Sequence, residues 1–249
     1  MKISIISPVF NDVRVARALD SILSQRHEHD LELIVVDAAS TDGTMEVLRR
    51  YGDRITTLIS EPDNGIYDGM NKGIRHATGD VVGILNADDR YADEYVLRDV
   101  AEMFADEDVE ACYGNLVYVN HNDEIVRYWK TGRTGLRKWY WGWMPPHPTF
   151  FVRRRIYDEY GDFNLGFPIA ADYELMLRLF VRQRISVKYL DRILVRMALG
   201  GESNGSISNI IKANSEVARA WRLNGLRGGF LVPFLKPASK IFQFVGRPR

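Results

Sequence analysis

The sequence predicts an α/β protein built on an open, mostly parallel sheet with helices on both faces. Short apolar runs at residues 3–9, 31–36, 55–60 and 81–85 each stop at turn-forming or acidic residues, as buried strands do. The stretches between them carry apolar residues at helical spacing. Strand and helix alternate four times, the pattern of parallel βαβ units rather than of hairpins.

Residues 3–9 read as a strand closed by Pro8 and Asn11, and 13–25 as a helix with Val15, Ala18, Leu19, Ile22 and Leu23 on one face. A second strand at 31–36 leads to a helix at 41–51, with Ser40 or Thr41 as its cap. The strand at 55–60 leads to a helix at 66–77, and the strand at 81–85 to a helix at 91–104. The second half is less regular. Strands are expected at 111–119 and 124–129 around a turn-like H-N-D, and at 149–152, 185–190 and 193–198. Helices are expected at 172–181 and 206–223, the latter with Ile207, Ile210, Ile211, Val217, Ala218 and Trp221 at helical spacing.

A hydrophobic content of 46% with 27% charged residues excludes a disordered chain, and 249 residues suffice for a sizeable core. The net charge of zero conceals an asymmetry: from residue 205 onward eight cations face the single acid Glu216, so residues 1–204 are acidic overall. An acidic body argues against nucleic-acid binding. Cys112 is alone, so no intrachain disulfide forms and a reducing compartment fits best. The N-terminal apolar run is too brief for a signal peptide or a membrane span, which predicts a cytoplasmic protein with surface attachment to a membrane left open.

Ligands of open parallel sheets bind outside the carboxyl ends of the strands. Three acid-bearing strand ends share that edge: Asp37, the E-P-D after Ser60, and Asp88 with Asp89. Asp37 leads a small-residue turn, where it either meets a ligand N–H or caps its own turn. In D-N-G-I-Y-D-G-M-N-K-G-I (63–74), glycines permit close backbone approach, and Asn71, Lys72 and Arg75 can reach a phosphate or sugar or simply form a polar helix face. In N-A-D-D (86–89), Asp88 suits Mg²⁺ or Mn²⁺, which take one or two carboxylates and complete their shell with water and phosphates; the alternative is helix capping, the reading favoured for Asp89. Asp172 opens a helix, where the dipole stabilises a carboxylate and an N-cap is the reading the residue favours by itself, and His147 stands between prolines. Dinucleotide, Walker A, zinc and G-x-S-x-G patterns are all missing from the sequence.

S-I-I-S-P-V-F-N, I-V-V-D-A-A-S-T-D-G-T, E-P-D-N-G-I-Y-D-G-M-N-K-G-I, N-A-D-D, H-P-T-F-F-V-R-R and A-A-D-Y-E-L fall in the order found in the inverting family 2 glycosyltransferases of GT-A fold. The chain resembles that family over roughly residues 3–200, and most of all its bacterial exopolysaccharide, colanic-acid and O-antigen branch. The resemblance implies a GT-A domain over 1–204, with a nucleotide-binding half (1–110) and an acceptor half (111–204) carrying a smaller sheet, then a basic C-terminal helix and tail over 205–249. It implies a nucleotide pocket of Pro8, Phe10, Asn11, Asp37, Asp63, Lys72, Asn86 and Ala87, a metal ligand in Asp88, and a general base in Asp172. His147, Trp143 and Asp89 are expected near the sugars. The donor would be a nucleoside-diphosphate sugar, UDP favoured, and the acceptor a saccharide on an undecaprenyl-diphosphate-type lipid.

Three positions depart from the family pattern: Asn86 stands for the first acid of D-x-D, Ala171 for the Glu before the base, and Met70 where many relatives have Arg. The processive Q-x-x-R-W signature is also missing, which implies single addition. The rival readings are a sugar-nucleotide nucleotidyltransferase, whose Gly-rich N-terminal loop S-P-V-F-N-D-V-R fits poorly, and a non-catalytic assembly subunit, against which Asp88 and Asp172 both stand. The aromatic stretch 139–143 offers stacking faces or core, and the tail, mixing large apolars with cations, suits an anionic membrane surface.

Overall fold

The computed structural model describes residues 1–199, 207–227, 229 and 232. β1 (Lys2–Val9) is buried along nearly its whole length because it lies at the centre of the parallel half. It pairs in parallel with β2 (Asp30–Asp37) on one side and β4 (Val81–Ile84) on the other, and β2 pairs with β3 (Thr57–Ser60). Successive side chains point to opposite faces: Ile6, Ile34, Val36 and Val82 enter one apolar cluster, and Ile3, Ile5, Leu33 and Val35 the other. Both faces therefore need covers, and the helices between strands supply them.

On one face lie α1 (Val15–Leu23), α2 (Thr44–Arg49) and α4 (Val96–Met103), which bury Val15, Leu19, Leu48 and Val100. The other is covered by α3 (Ile66–His76), α5 (Leu136–Tyr140), α6 (Arg154–Tyr160), α7 (Ala171–Leu177) and α8 (Ile207–Leu223). α3 approaches β1 closely because Gly73 faces Ile6; a Cβ at 73 would overlap the Ile6 side chain.

The sheet continues past β4 through β8 (Phe151–Arg153), β6 (Ala111–Val119), β9 (Val187–Ala198) and β5 (Arg90–Tyr91), with β7 (Ile125–Trp129) paired to β6. The strands expected to form a separate acceptor-side sheet thus join one nine-stranded sheet, mixed in its second half. Other expectations shift in detail. Tyr91, expected to begin a helix, forms an edge strand with Arg90 against β9, and α4 starts only at Val96. The two strands expected at 185–190 and 193–198 are one, with a register shift where Asp191 meets Asn115. The helix expected over 172–181 is α7, continued by a π-helical turn over Arg178–Gln183.

α8 docks on α7. Val217, Ala220 and Trp221 are fully buried, the Trp221 indole N–H donates to the Tyr173 hydroxyl at 2.8 Å, and Asn224 donates to Glu174 at 3.1 Å. The side chains of Ile207 and Ile210, and most of the expected membrane-binding tail, lie outside the described residues. Among the described residues no helix is long and apolar enough to cross a membrane.

Candidate active site

The carboxyl ends of β1 to β4 form the crevice edge, and side chains beyond them tie those ends together. Asn11 turns the chain after β1 in a left-handed conformation, φ 46°, which Asn tolerates better than most residues. Its side-chain oxygen accepts the Thr41 N–H at 2.8 Å, and its own N–H donates to the Ser40 hydroxyl oxygen at 2.8 Å. Ser40 and Thr41 therefore bridge strands instead of capping α2. That helix begins after Gly43, where Asp42 accepts both the N–H and the hydroxyl of Thr44.

Asp37 is fully buried at the end of β2. Its Oδ2 accepts the Ser60 hydroxyl at 2.7 Å and the Ser40 N–H at 3.1 Å, which locks the ends of β2 and β3 together. Phe10 projects from the turn with 62% of its surface exposed, the accessible aromatic face beside this edge. Pro8 is buried. It sits across from Asp63: a Cβ on Gly69 would stand 3.0 Å from an Asp63 oxygen and 3.7 Å from Pro8. Lys72 supports the same loop, donating to the Pro62 carbonyl at 2.7 Å and pairing with Glu61 at 2.9 Å. Asn71 and Arg75 turn elsewhere, Asn71 to the main chain of Phe163 and Arg75 to Asp162.

At the end of β4, Ala87 is buried and Asn86 and Asp88 are half-buried. Burial pushes the Asp88 carboxyl up, opposed by the charge of Arg14, whose guanidinium lies 4.0 Å away while clasping Asp12. Arg14 was not singled out from the sequence; the N-D-V-R run after the first strand is the signal that could have found it. Asp89 does not cap α4: the Tyr95 N–H there is taken by Asp93. Instead Asp89 is buried behind Asp88, accepts the Asn86 amide at 3.3 Å, and is pushed well up by burial and then by the charge of Asp88. Among the described residues, two buried oxygens, Asn86 Oδ1 and Asp89 Oδ1, accept no hydrogen bond of ordinary geometry. Buried acceptors left this way are costly unless something occupies them. The oxygen donors fit a hard divalent cation. No group of three or more His, Cys, Asp or Glu is placed to hold one by itself among the described residues, so phosphates and water would complete such a shell.

Asp172, half-buried, lies in the first turn of α7. Its Oδ1 accepts the Tyr173 N–H at 2.7 Å and the Tyr67 hydroxyl at 3.3 Å, and no hydrogen bond to Oδ2 is made among the described residues. Tyr67 sits in the first turn of α3, so the helix that carries the Asp63 loop also carries the contact to Asp172. Burial pushes Tyr67 well above its ordinary value, and the charge of Asp172 adds to this, so Tyr67 stays a donor. His147 is also here, edge-on to Phe163, against which Tyr67 stacks. Burial pushes the imidazole down while the Asp172 charge opposes. Trp143 donates its indole N–H to the Thr131 carbonyl at 2.8 Å and packs edge-on against Tyr113 and Trp139. Its ring is half-buried and packs against the core, and the more exposed indole of that stretch is Trp141.

The sequence matches the family model described as glycosyl transferase family 2 over residues 4–161. It is 30% identical over 208 residues to a PGL/p-HBAD biosynthesis glycosyltransferase of Mycobacterium bovis (strain BCG / Pasteur 1173P2), covering 81% of this chain and 78% of that protein. The fold is similar to that of S. aureus TarS 1–349 in complex with UDP, with a TM-score of 0.67, 17% identity, and coverage of 94% of this chain and 71% of that one. It spans 45% of a longer TarS chain. It is similar also to the mannosyltransferase PcManGT from Pyrobaculum calidifontis in complex with GDP-Man and Mn2+, with a TM-score of 0.66, 19% identity, and coverage of 94% and 68%. The chain belongs to glycosyl transferase family 2 and is a glycosyltransferase of that family.

Proposed function

We propose that the chain moves a sugar from a nucleoside-diphosphate sugar, UDP favoured, to a hydroxyl of a saccharide acceptor, with inversion and in a single displacement. The observation that carries this reading is Asp172: a half-buried carboxylate with Oδ1 fixed by Tyr67 and Tyr173 and Oδ2 without a hydrogen bond among the described residues, linked through α3 to the crevice of Pro8, Asp63 and Asp37. Phe10 and Asn11 would hold the nucleoside, Phe10 by its exposed face, with buried Asp37 locking the strand ends beneath it and Asn86, Ala87 and Lys72 along the same edge. UDP and UDP-GlcNAc in complexes of TarS, and GDP-Man with Mn2+ in PcManGT, favour such a donor.

Asp88 would hold Mg²⁺ or Mn²⁺, with Asn86 Oδ1 able to reach the same ion or a water on it. When bound, the cation would stabilise charge developing on the leaving diphosphate. On the opposite side, Asp172 Oδ2 accepts the proton of the acceptor hydroxyl as that oxygen attacks the anomeric carbon. A carboxylate is a weak base for an alcohol, so proton transfer accompanies bond formation late, and the fixed geometry of Asp172 matters more than its basicity. Neutral His147 beside Asp172 adds no competing positive charge. A role in surface polysaccharide assembly on a lipid-linked acceptor, at the inner face of the cytoplasmic membrane, suits the basic C-terminal stretch. The nucleotidyltransferase reading lacks a Gly-rich phosphate loop at Pro8–Arg14.

A thermal-shift panel of UDP-, GDP- and dTDP-sugars, with and without Mn²⁺, tests the donor. One of them should raise the melting temperature more with metal than without, and the anomeric configuration of the product, read by NMR, should be inverted. Retention of configuration would overturn the single displacement.

A further inference from the structure

The backbone that presents Asp172 has little means of its own to hold position. The residues immediately before it, Ala170 and Ala171, carry no polar side chain. The stretch is held from outside. Tyr67 of α3 donates to the Ile169 carbonyl at 3.0 Å as well as to Asp172. From the other side, Oε2 of Glu216, on α8, accepts the N–H of Ile169 at 3.0 Å and of Ala170 at 2.8 Å. Glu216 is the single acid of the basic C-terminal segment, 44 positions beyond Asp172 in sequence.

We propose that Glu216 is a positioning residue for Asp172: its carboxylate pins the 169–170 peptide from α8 and so fixes where the base points. A charge-assisted bond to two adjacent backbone N–H groups is stronger than a neutral one. It acts two residues from Asp172, where an ångström of play is enough to slow chemistry by about 100-fold. α8 has independent anchors in the buried Val217 and Trp221 and in the Trp221 and Asn224 hydrogen bonds. Losing the Glu216 carboxylate therefore loosens the peptide without undocking the helix.

The inference rests on Asp172 being the base, and one kinetic series on the full chain separates the two. Glu216→Ala should lower kcat by about 10- to 100-fold, with KM for the nucleotide sugar nearly unchanged. Glu216→Gln, whose amide oxygen accepts the same two N–H groups, should restore most of that rate. Trp221→Phe, which loses a hydrogen bond of the same helix pair, should lower the melting temperature while leaving kcat nearly unchanged. If Glu216→Ala behaves as Trp221→Phe does, or Glu216→Gln fails to recover rate, Glu216 is a packing contact and the proposal is overturned. Should Glu216→Ala fail to fold, Glu216→Asp, too short to span both N–H groups, must show the same loss of kcat. Near-normal turnover by Asp172→Asn would remove the base assignment, whereas an inactive Asp172→Asn beside a full-rate Glu216→Ala would remove only the role of Glu216.

Discussion

Replacing Glu32 by Gln tests how the start of the parallel sheet is held, and its size follows from four contacts. Glu32 is 4% exposed on β2. Oε1 accepts from Lys2 Nζ at 2.7 Å and the Thr78 hydroxyl at 2.6 Å; Oε2 accepts from the Ser4 hydroxyl at 2.5 Å and the Thr78 N–H at 2.8 Å. Burial alone would raise the carboxyl, but these donors outweigh it and bring it from 4.5 down to about 2. At 1.36 kcal/mol per pKa unit that difference is on the order of 3 kcal/mol. The Lys2 end is 36% exposed, and solvent screening there reduces the figure to about 2 kcal/mol. Because the folded-state value is depressed, this stability is fully present above pH 4.5 and is lost as pH falls through about 2. Urea unfolding of both proteins across that range should show Glu32→Gln less stable by about 2 kcal/mol at neutral pH. The gap should close on acidification. Equal stability at neutral pH, or parallel curves down to pH 2, would refute the reasoning.

Gly73→Ala should lower stability by about 1–3 kcal/mol, read by thermal melting, because the new methyl forces α3 away from Ile6 of β1. An unchanged melting temperature would mean the approach of α3 to β1 is looser than described. Asp88→Ala should abolish the enhancement of nucleotide binding by Mn²⁺ in titration calorimetry while leaving metal-free binding close to wild type. An unaltered metal response would overturn the role given to Asp88.

The parallel half was legible because β1, β2 and β4 are apolar runs buried on both faces for most of their length, with β3 a half-exposed edge, and turns punctuate them at Asn11, Gly43 and Gly65. The mixed half hid its pairing. Arg90–Tyr91 gains strand identity only from Val195 and Arg196, a hundred residues away, and no local pattern carries that information. Asp191 and Arg192 broke the apolar pattern of β9 and made one strand read as two, although the polar pair simply marks the register shift opposite Asn115. The same division runs through the site. Asp37, Asp88 and Asp172 stand at element ends where a carboxylate is conspicuous. Tyr67 and Glu216 look like ordinary positions of amphipathic helices, and only tertiary packing brings them to Asp172 and the backbone before it. Asp89 looks like a cap or support for the following helix because the sequence pattern starts that helix at residue 91; with α4 starting at Val96, its carboxyl is left buried behind Asp88.

The most direct test of the whole account is the turnover of Asp172→Asn set against its affinity for the donor. General-base removal costs about 100- to 10,000-fold in rate. Asn keeps the size of the side chain and an oxygen for the Tyr67 and Tyr173 donors, so calorimetric affinity for the nucleotide sugar with Mn²⁺ should be unchanged. Loss of turnover at retained affinity is the predicted result. Turnover within about tenfold of wild type would contradict the assignment of Asp172 as the base.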